Sequence, residues 1–190
     1  MIIGITGSFG SGKTTVANMF RKYGFRVINV DKLYHNIYNK NDSLKNKIKK
    51  EFGTLDRNQI KKIVFNKYNK LKKLNKITHP LIINSIKKEI SNNKKIKNKI
   101  KIIIDIPLLF EAKVQSMFGK IIVVKCSKKE QIKRILKKGK YTKKEIENII
   151  KSQMPLKEKI KHADFVVDNS KSLKEARAQV KILANIVQKP

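Results

Sequence analysis

Residues 7–15 read GSFGSGKTT, set between the short apolar run IIGIT and the amphipathic stretch VANMFRKYGF. Few folds accept such a loop. Gly7, Gly12, Lys13 and Thr14 fit the spacing G-x-x-x-x-G-K-[ST], which works only behind a strand and at the start of a helix. The glycines let backbone N–H groups turn inward and approach phosphate oxygens with no Cβ in the way. A helix beginning near Lys13 aims its positive N-terminal end at the same point. Lys13 has the reach for β- and γ-phosphates, and the Thr14 hydroxyl suits a Mg²⁺ ion. The expected nucleotide contacts are therefore Gly10, Ser11, Gly12, Lys13, Thr14 and Thr15. The loop by itself does not separate kinase, ATPase and GTPase.

The remaining apolar runs supply the scaffold. Strands are expected at Ile2–Thr6, Arg26–Val30, Lys101–Ile106, Lys120–Lys125 and Phe165–Val167. They are near-continuous Ile/Val runs, the pattern of a parallel sheet buried on both faces. Helical periodicity fills the intervals at Thr14–Tyr23, in several segments between Asp31 and Asn92, and at Lys128–Lys137, Lys143–Met154 and Leu173–Val187. This alternation predicts an α/β fold: a five-stranded parallel sheet of the phosphate-loop NTPase type with helices on both faces. At 190 residues the chain suits one domain, with a core of 1–30, 100–136 and 163–190. The long interval 31–99 predicts an inserted helical lobe, and the Lys/Gly-rich interval 137–162 a lid. Ser91–Lys99 is Asn/Lys-rich and reads as a solvated helix end or loop.

Charge is extreme, with 46 Lys+Arg against 14 Asp+Glu and a formal net charge of +32. A surface of that sign attracts polyanions. Yet arginine occurs only at Arg21, Arg26, Arg57, Arg134 and Arg177, and the lysines are scattered among asparagines and isoleucines rather than gathered. Phosphate readout favours arginine forks over lysine point charges. Nucleic acid binding is thus expected only as a non-specific consequence of net charge. Cys126 is the single cysteine, which excludes an internal disulfide and a thiolate zinc site. No targeting segment and no bilayer-length apolar run is read, so the expectation is a cytoplasmic protein with no membrane partner, a monomer or weak homo-oligomer.

Several polar residues stand at strand ends. Asp31 follows the second strand, at the sheet edge where α/β proteins bind ligands. It suits either a general base for a substrate hydroxyl or a helix N-cap. His79 precedes Pro80, which predicts that it is held out of helical geometry, packed or liganding. Asp105 ends the buried run IIID and is placed to stand behind a Mg²⁺ site, while Glu111 could cap a helix. Gln131 and Arg134 share one helical face, and Asn169 follows the fifth strand as a purine-edge partner or a turn residue.

In order and spacing, GITGSFGSGKTTVA, VINVD, FGTLDR, HPLI, IPLLFE, EQIKR, KSQ and ADFVVDN resemble the dephospho-CoA kinase family across nearly the whole chain. The resemblance implies ATP-dependent, Mg²⁺-dependent phosphorylation of the ribose 3′-hydroxyl of dephospho-coenzyme A, the last step of coenzyme A biosynthesis. It implies Asp31 as general base with Lys13 as the second catalytic residue, and Arg57 and His79 as substrate contacts. It also implies Arg134 as a clamp on the ATP side, Asn169 at the adenine site, and Mg²⁺ on Thr14 with Asp105 through water. Three departures stand out. The family often has aspartate where this chain has Asn29, has a longer segment where Thr54 stands alone, and has an arginine where Lys137 or Lys138 stands. The competing readings are another small-metabolite or nucleotide kinase with the same loop, and a basic ATP-binding protein of nucleic acids.

Overall fold

The computed structural model describes residues 1–94 and 100–188. Strands β1 (Ile2–Gly7), β2 (Arg26–Asn29), β3 (Ile102–Asp105), β4 (Lys120–Lys125) and β5 (Phe165–Asp168) form a parallel sheet in the order β2-β3-β1-β4-β5. Each lies within one residue, at either end, of the run read from sequence. The reason is burial on both faces: all four residues of β3 and the four inner residues of β4 are buried, so no alternation with polar residues is left to blur the strand.

Nine helices are seen among the described residues: α1 (Lys13–Met19), α2 (Val30–Lys40), α3 (Asp42–Phe52), α4 (Arg57–Asn66), α5 (Tyr68–Lys94), α6 (Lys128–Leu136), α7 (Lys143–Lys151), α8 (Leu156–Lys161) and α9 (Leu173–Gln188). They belong to two compact units. Met1–Asn29 and Asn93–Pro190 make the first. On one face of its sheet Ile3, Ile5, Ile103, Ile122 and Val124 meet Val16 and Ala17 from the first helix, Phe20 just beyond it, and Val180, Ala184 and Val187 from the last. Burying each such aliphatic side chain contributes about 1.5–3 kcal/mol. The opposite face is closed by the segment after β3. A Cβ on Gly4 would meet Leu109 Cδ1 at 2.7 Å and Phe118 Cγ at 2.9 Å, so only glycine lets that segment lie flat on β1.

Val30–Asn92 makes the second unit. Its core is Leu44 and Ile48 of α3 and Ile60 and Val64 of α4, with Leu74, Ile77 and Leu81 of α5 packed against them. Asn41 caps α3 through Leu44 N, Gly53 ends it at φ 72°, and Asp56 caps α4 through Asn58 N and Gln59 N. Thr54 is thus all that separates a helix stop from the turn into the next start, and the cap leaves Arg57 as the first residue of α4.

Three local expectations are corrected. His79 and Pro80 lie inside α5, a helix of 27 residues, and are not held out of helical geometry. The steric preference against proline is local, while α5 is fixed along its length by Leu74, Ile77, Leu81 and the fully buried Ile86. The first helix stops at Met19 and tightens into a 3₁₀ turn, Phe20–Tyr23. The helix at 143 stops at Lys151, and a separate helix, α8, begins after Pro155. Of the stretch Ser91–Lys99, residues 95–99 lie outside those described.

Candidate active site

The strand order reverses beside β1, which opens a crevice at the carboxyl edge of the sheet between β1 and β3. The loop Gly7–Gly12 sits over that edge. Gly10 and Gly12 both have φ 81°, in the left-handed region, and both are crowded. A Cβ on Gly10 would press on Ile135 Cδ1 at 2.5 Å, and one on Gly12 would collide with the Asn169 amide. Gly12 O then accepts from Val16 N at 3.1 Å, the first hydrogen bond of α1. The sequence therefore dictates a glycine loop that runs directly into a helix start, the arrangement that phosphate binding uses.

Below the loop lies Asp105, fully buried at the end of β3, with Ile5 on one side and Asn29 on the other in register. Its Oδ1 is ion-paired with Lys13 Nζ. Its Oδ2 accepts from Thr14 Oγ1 at 2.7 Å and from Asn29 Nδ2 at 2.6 Å. A buried carboxylate is tolerated only when it is paired and hydrogen-bonded, and three donors provide that here. Asp105 in turn fixes the orientation of the lysine and threonine that the loop motif requires. Oxygen donors 2.7 Å apart on Thr14 and Asp105 are the hard ligands Mg²⁺ prefers, and they leave most of its shell to phosphate and water.

The loop is braced from behind. Asn169 Nδ2 donates to Ser11 O at 2.8 Å, and the Asn169 backbone N–H donates to Lys125 O at 2.9 Å. Ser11 Oγ and Asn169 Oδ1 are buried without a protein partner among the described residues. Such orphans beside a glycine cradle are acceptor and donor capacity held for a ligand. Arg134 pairs through Nε with Glu130 at 2.9 Å, one turn away on α6, and its Nη1 would stand 3.7 Å from a Cβ on Gly12. Its guanidinium thus flanks the loop. Phe9, at the loop's tip, has its N–H bonded to Gln153 Oε1 at 2.9 Å and its C=O bonded by Gln131 Nε2. Its ring meets Tyr141 edge-on, with centroids 5.3 Å apart. Cys126 is buried, and burial pushes its thiol up despite the opposing charge of Arg134, so it stays protonated and inert.

The second unit carries its own cluster. Asp31, Lys32, His35, Asn36 and Arg57 line a cavity of about 550 Å³. Asp31 is the second residue of α2, in its first turn and not at a cap, where a negative charge is favoured by the helix dipole. His35 follows one turn later, and its Nδ1 lies 2.9 Å from Arg57 Nη1. Arginine has only donors, so Nδ1 is the acceptor in this contact. Burial pushes the Tyr34 phenol up, against the pull of Arg57. His79, half-buried in α5, is not among the residues lining that cavity.

The structure thus gathers Gly10, Ser11, Gly12, Lys13, Thr14, Asp105, Arg134 and Asn169 around one loop, and Asp31 with Arg57 around one cavity. Thr15 lies in α1 on an exposed turn. Sequence reasoning overlooked the roles of Asn29, Phe9, His35 and Gln153, and it put the weight on Arg134 where Gln131 makes the direct contact with the loop.

Comparison with known proteins agrees with the geometry. The family model for dephospho-CoA kinase matches residues 1–175. A dephospho-CoA kinase of Carboxydothermus hydrogenoformans is 40% identical over 187 residues, covering 94% of this chain and 90% of its own length. Among solved structures, a Thermus thermophilus protein superposes with TM-score 0.82 at 30% identity, covering 100% of this chain and 98% of its own. The dephospho-CoA kinase of Campylobacter jejuni follows with TM-score 0.70 at 30% identity, covering 99% and 97%. With the family model matched over residues 1–175 and a relative 40% identical over most of both chains, the chain belongs to the dephospho-CoA kinase family.

Proposed function

We propose that this chain transfers the γ-phosphoryl group of ATP to the ribose 3′-hydroxyl of dephospho-coenzyme A and so produces coenzyme A. The observation that carries the reading is the buried Asp105 beneath the Gly10–Gly12 cradle, holding Lys13 and Thr14 together. Phosphoryl transfer demands positioning and charge neutralisation more than covalent help. The N–H groups at the start of α1 hold the phosphates, and Lys13 places its charge on the oxygens that gain charge in the transition state. Mg²⁺, when bound, neutralises the phosphates, and Thr14 Oγ1 with Asp105 through water would hold it. Asn169 and Arg134 flank the nucleotide.

Asp31 takes the proton of the acceptor hydroxyl. Supporting this, the chain carries it two residues beyond Asn29, which is itself bonded to Asp105, and its carboxylate is exposed. Arg57 and His79 bind the acceptor, with Arg57 held by His35. Segment 137–162 acts as the lid. Its Tyr141 and Gln153 already touch the loop at Phe9, and Lys137 and Lys138 stand exposed near its start. Among the described residues no helix is long and apolar enough to cross a membrane, and we place the protein in the cytoplasm as a monomer or weak homo-oligomer.

The decisive assay gives the purified protein Mg·ATP with a panel of acceptors. Dephospho-coenzyme A is expected to be phosphorylated far faster than adenosine, AMP or other small metabolites. A tenfold preference for any other acceptor overturns the reading.

A further inference from the structure

Between the lid segment and the stretch after β3 lies a buried ion pair that the catalytic reading does not use. Lys159 of α8 is fully buried; its Nζ meets Glu111 Oε1 at 2.9 Å and lies 3.4 Å from Pro107 O. Pro107 O also accepts from Thr6 Oγ1 at 3.1 Å, which fastens the pair to β1 just beyond Asp105. Glu111 Oε1 accepts a second bond, from Met154 N at 2.9 Å, while Glu111 Oε2 is buried without a partner among the described residues. The residue before Met154 is Gln153, whose side chain accepts from Phe9 N. On the other side of the same residue Gln131 Nε2 donates to Phe9 O. The tip of the phosphate loop is therefore gripped at N–H and C=O by two side-chain amides, Gln153 from the lid segment and Gln131 from α6. One amide is set in place by the carboxylate of Glu111.

Energetics argue that this pair serves more than packing. Moving a lysine and a glutamate out of water costs several kcal/mol per ion before their attraction offsets it, and apolar residues of the same volume are commonly as stabilising. An orphaned carboxylate oxygen adds a further cost. What an apolar pair lacks is direction. Glu111 points an acceptor at one peptide N–H and so fixes the backbone at 153–154, which aims Gln153 at Phe9.

We propose that Glu111 and Lys159 are positioning residues for nucleotide binding: through Met154 N–H and Gln153 they clasp the Phe9 peptide and pre-set the curvature of the phosphate loop. The inference rests on the loop being the ATP site, and preorganisation of that kind is read in nucleotide affinity. The acceptor side is left untouched.

Three variants test it, with Mg·ATP dissociation constants, KM for each substrate and melting temperature measured on the full chain. Glu111→Leu/Lys159→Met removes both charges and the acceptor. It should fold, weaken Mg·ATP about tenfold, the worth of one directed hydrogen bond, and leave the acceptor KM unchanged. Glu111→Gln/Lys159→Met keeps an amide oxygen for Met154 N–H, and affinity should return to within about threefold of the parent. Gln153→Ala should reproduce the tenfold loss with both charges intact. Parental Mg·ATP affinity in the Leu/Met or the Ala variant overturns the proposal, as does a Gln/Met variant no better than the Leu/Met one. A double variant that cannot fold overturns it too, since the pair would then be structural. If the parent prefers another acceptor, the reading of the substrate falls while this comparison of nucleotide affinities stands.

Discussion

Asn29→Asp changes one atom's chemistry beside the fully buried carboxylate of the site. Asn29 Nδ2 donates to Asp105 Oδ2 at 2.6 Å, and Asp105 has no exposure to solvent. Aspartate at this position replaces a donor with an anionic oxygen facing an anionic oxygen. Two unit charges centred about 4 Å apart repel by about 4 kcal/mol at an effective dielectric of about 20. Loss of the hydrogen bond to a charged acceptor adds about 1.5–3 kcal/mol. Lys13, already on Asp105, and relaxation of the exposed side of residue 29 recover part of this. A net loss of about 2–4 kcal/mol is expected, which for a chain of this length lowers Tm by about 4–16 °C. Added Mg²⁺ should restore more of that loss in the variant than it adds to the parent, because a divalent cation converts the repulsion into a shared ligand set. Thermal melts of both proteins with EDTA and with Mg²⁺ measure this. A variant that melts within 1 °C of the parent in EDTA would refute the geometry: it would mean that residue 29 does not face Asp105.

Asp31→Asn keeps shape but removes the proton acceptor and a charge favoured by the α2 dipole, worth about 0.3–1 kcal/mol, so melting should fall by no more than a few degrees and ATP binding stay near parental while turnover falls about 10²–10⁴-fold; near-parental turnover sinks the base role. Although partial burial opposes it, hydrogen bonds from Ser170 and the ion pair with Lys125 hold the Asp168 carboxyl below its ordinary value of 3.8. A depressed carboxyl contributes stability that is present above that value and lost as pH falls through the folded one, so Asp168→Asn should flatten the acid limb of the stability–pH curve and leave a larger share of its cost at neutral pH. Binding to RNA or DNA should be weak, sequence-independent and steeply dependent on salt; tight, sequence-selective binding at physiological salt would make the +32 surface functional.

What was legible in the sequence was whatever acts through composition or through local backbone. The five strands stand out because a strand buried on both faces has no polar position to break the run, as in Ile102–Asp105. The loop is legible because Gly10 and Gly12 need positive φ and open space, which no other residue tolerates at their positions. Helix boundaries failed where tertiary packing outweighed a local rule. Pro80 sits exposed in α5, so its ring meets solvent, while Ile77 and Leu81 on the packed side hold the helix through it.

The site divides along a different line. Lys13, Thr14 and Asp105 are charged or hydroxylic groups whose chemistry names a phosphate or a cation wherever they stand, and the structure brings them to one point. Gln131, Gln153 and Asn29 are neutral amides, and what they do depends wholly on what they face. The two glutamines face a backbone peptide 122 and 144 positions away, a partner that leaves no mark in sequence because every residue has one. Asn29 is different, since the family's frequent aspartate at that position makes its amide look like a loss. The hydrogen bonds say otherwise. With Lys13 on Oδ1 and Thr14 on Oδ2, the Oδ2 of Asp105 has one acceptor direction left, and an amide N–H fills it without help. A second carboxylate would need a proton or a cation in the same place, so this chain holds Lys13 and Thr14 in position with one fewer buried charge.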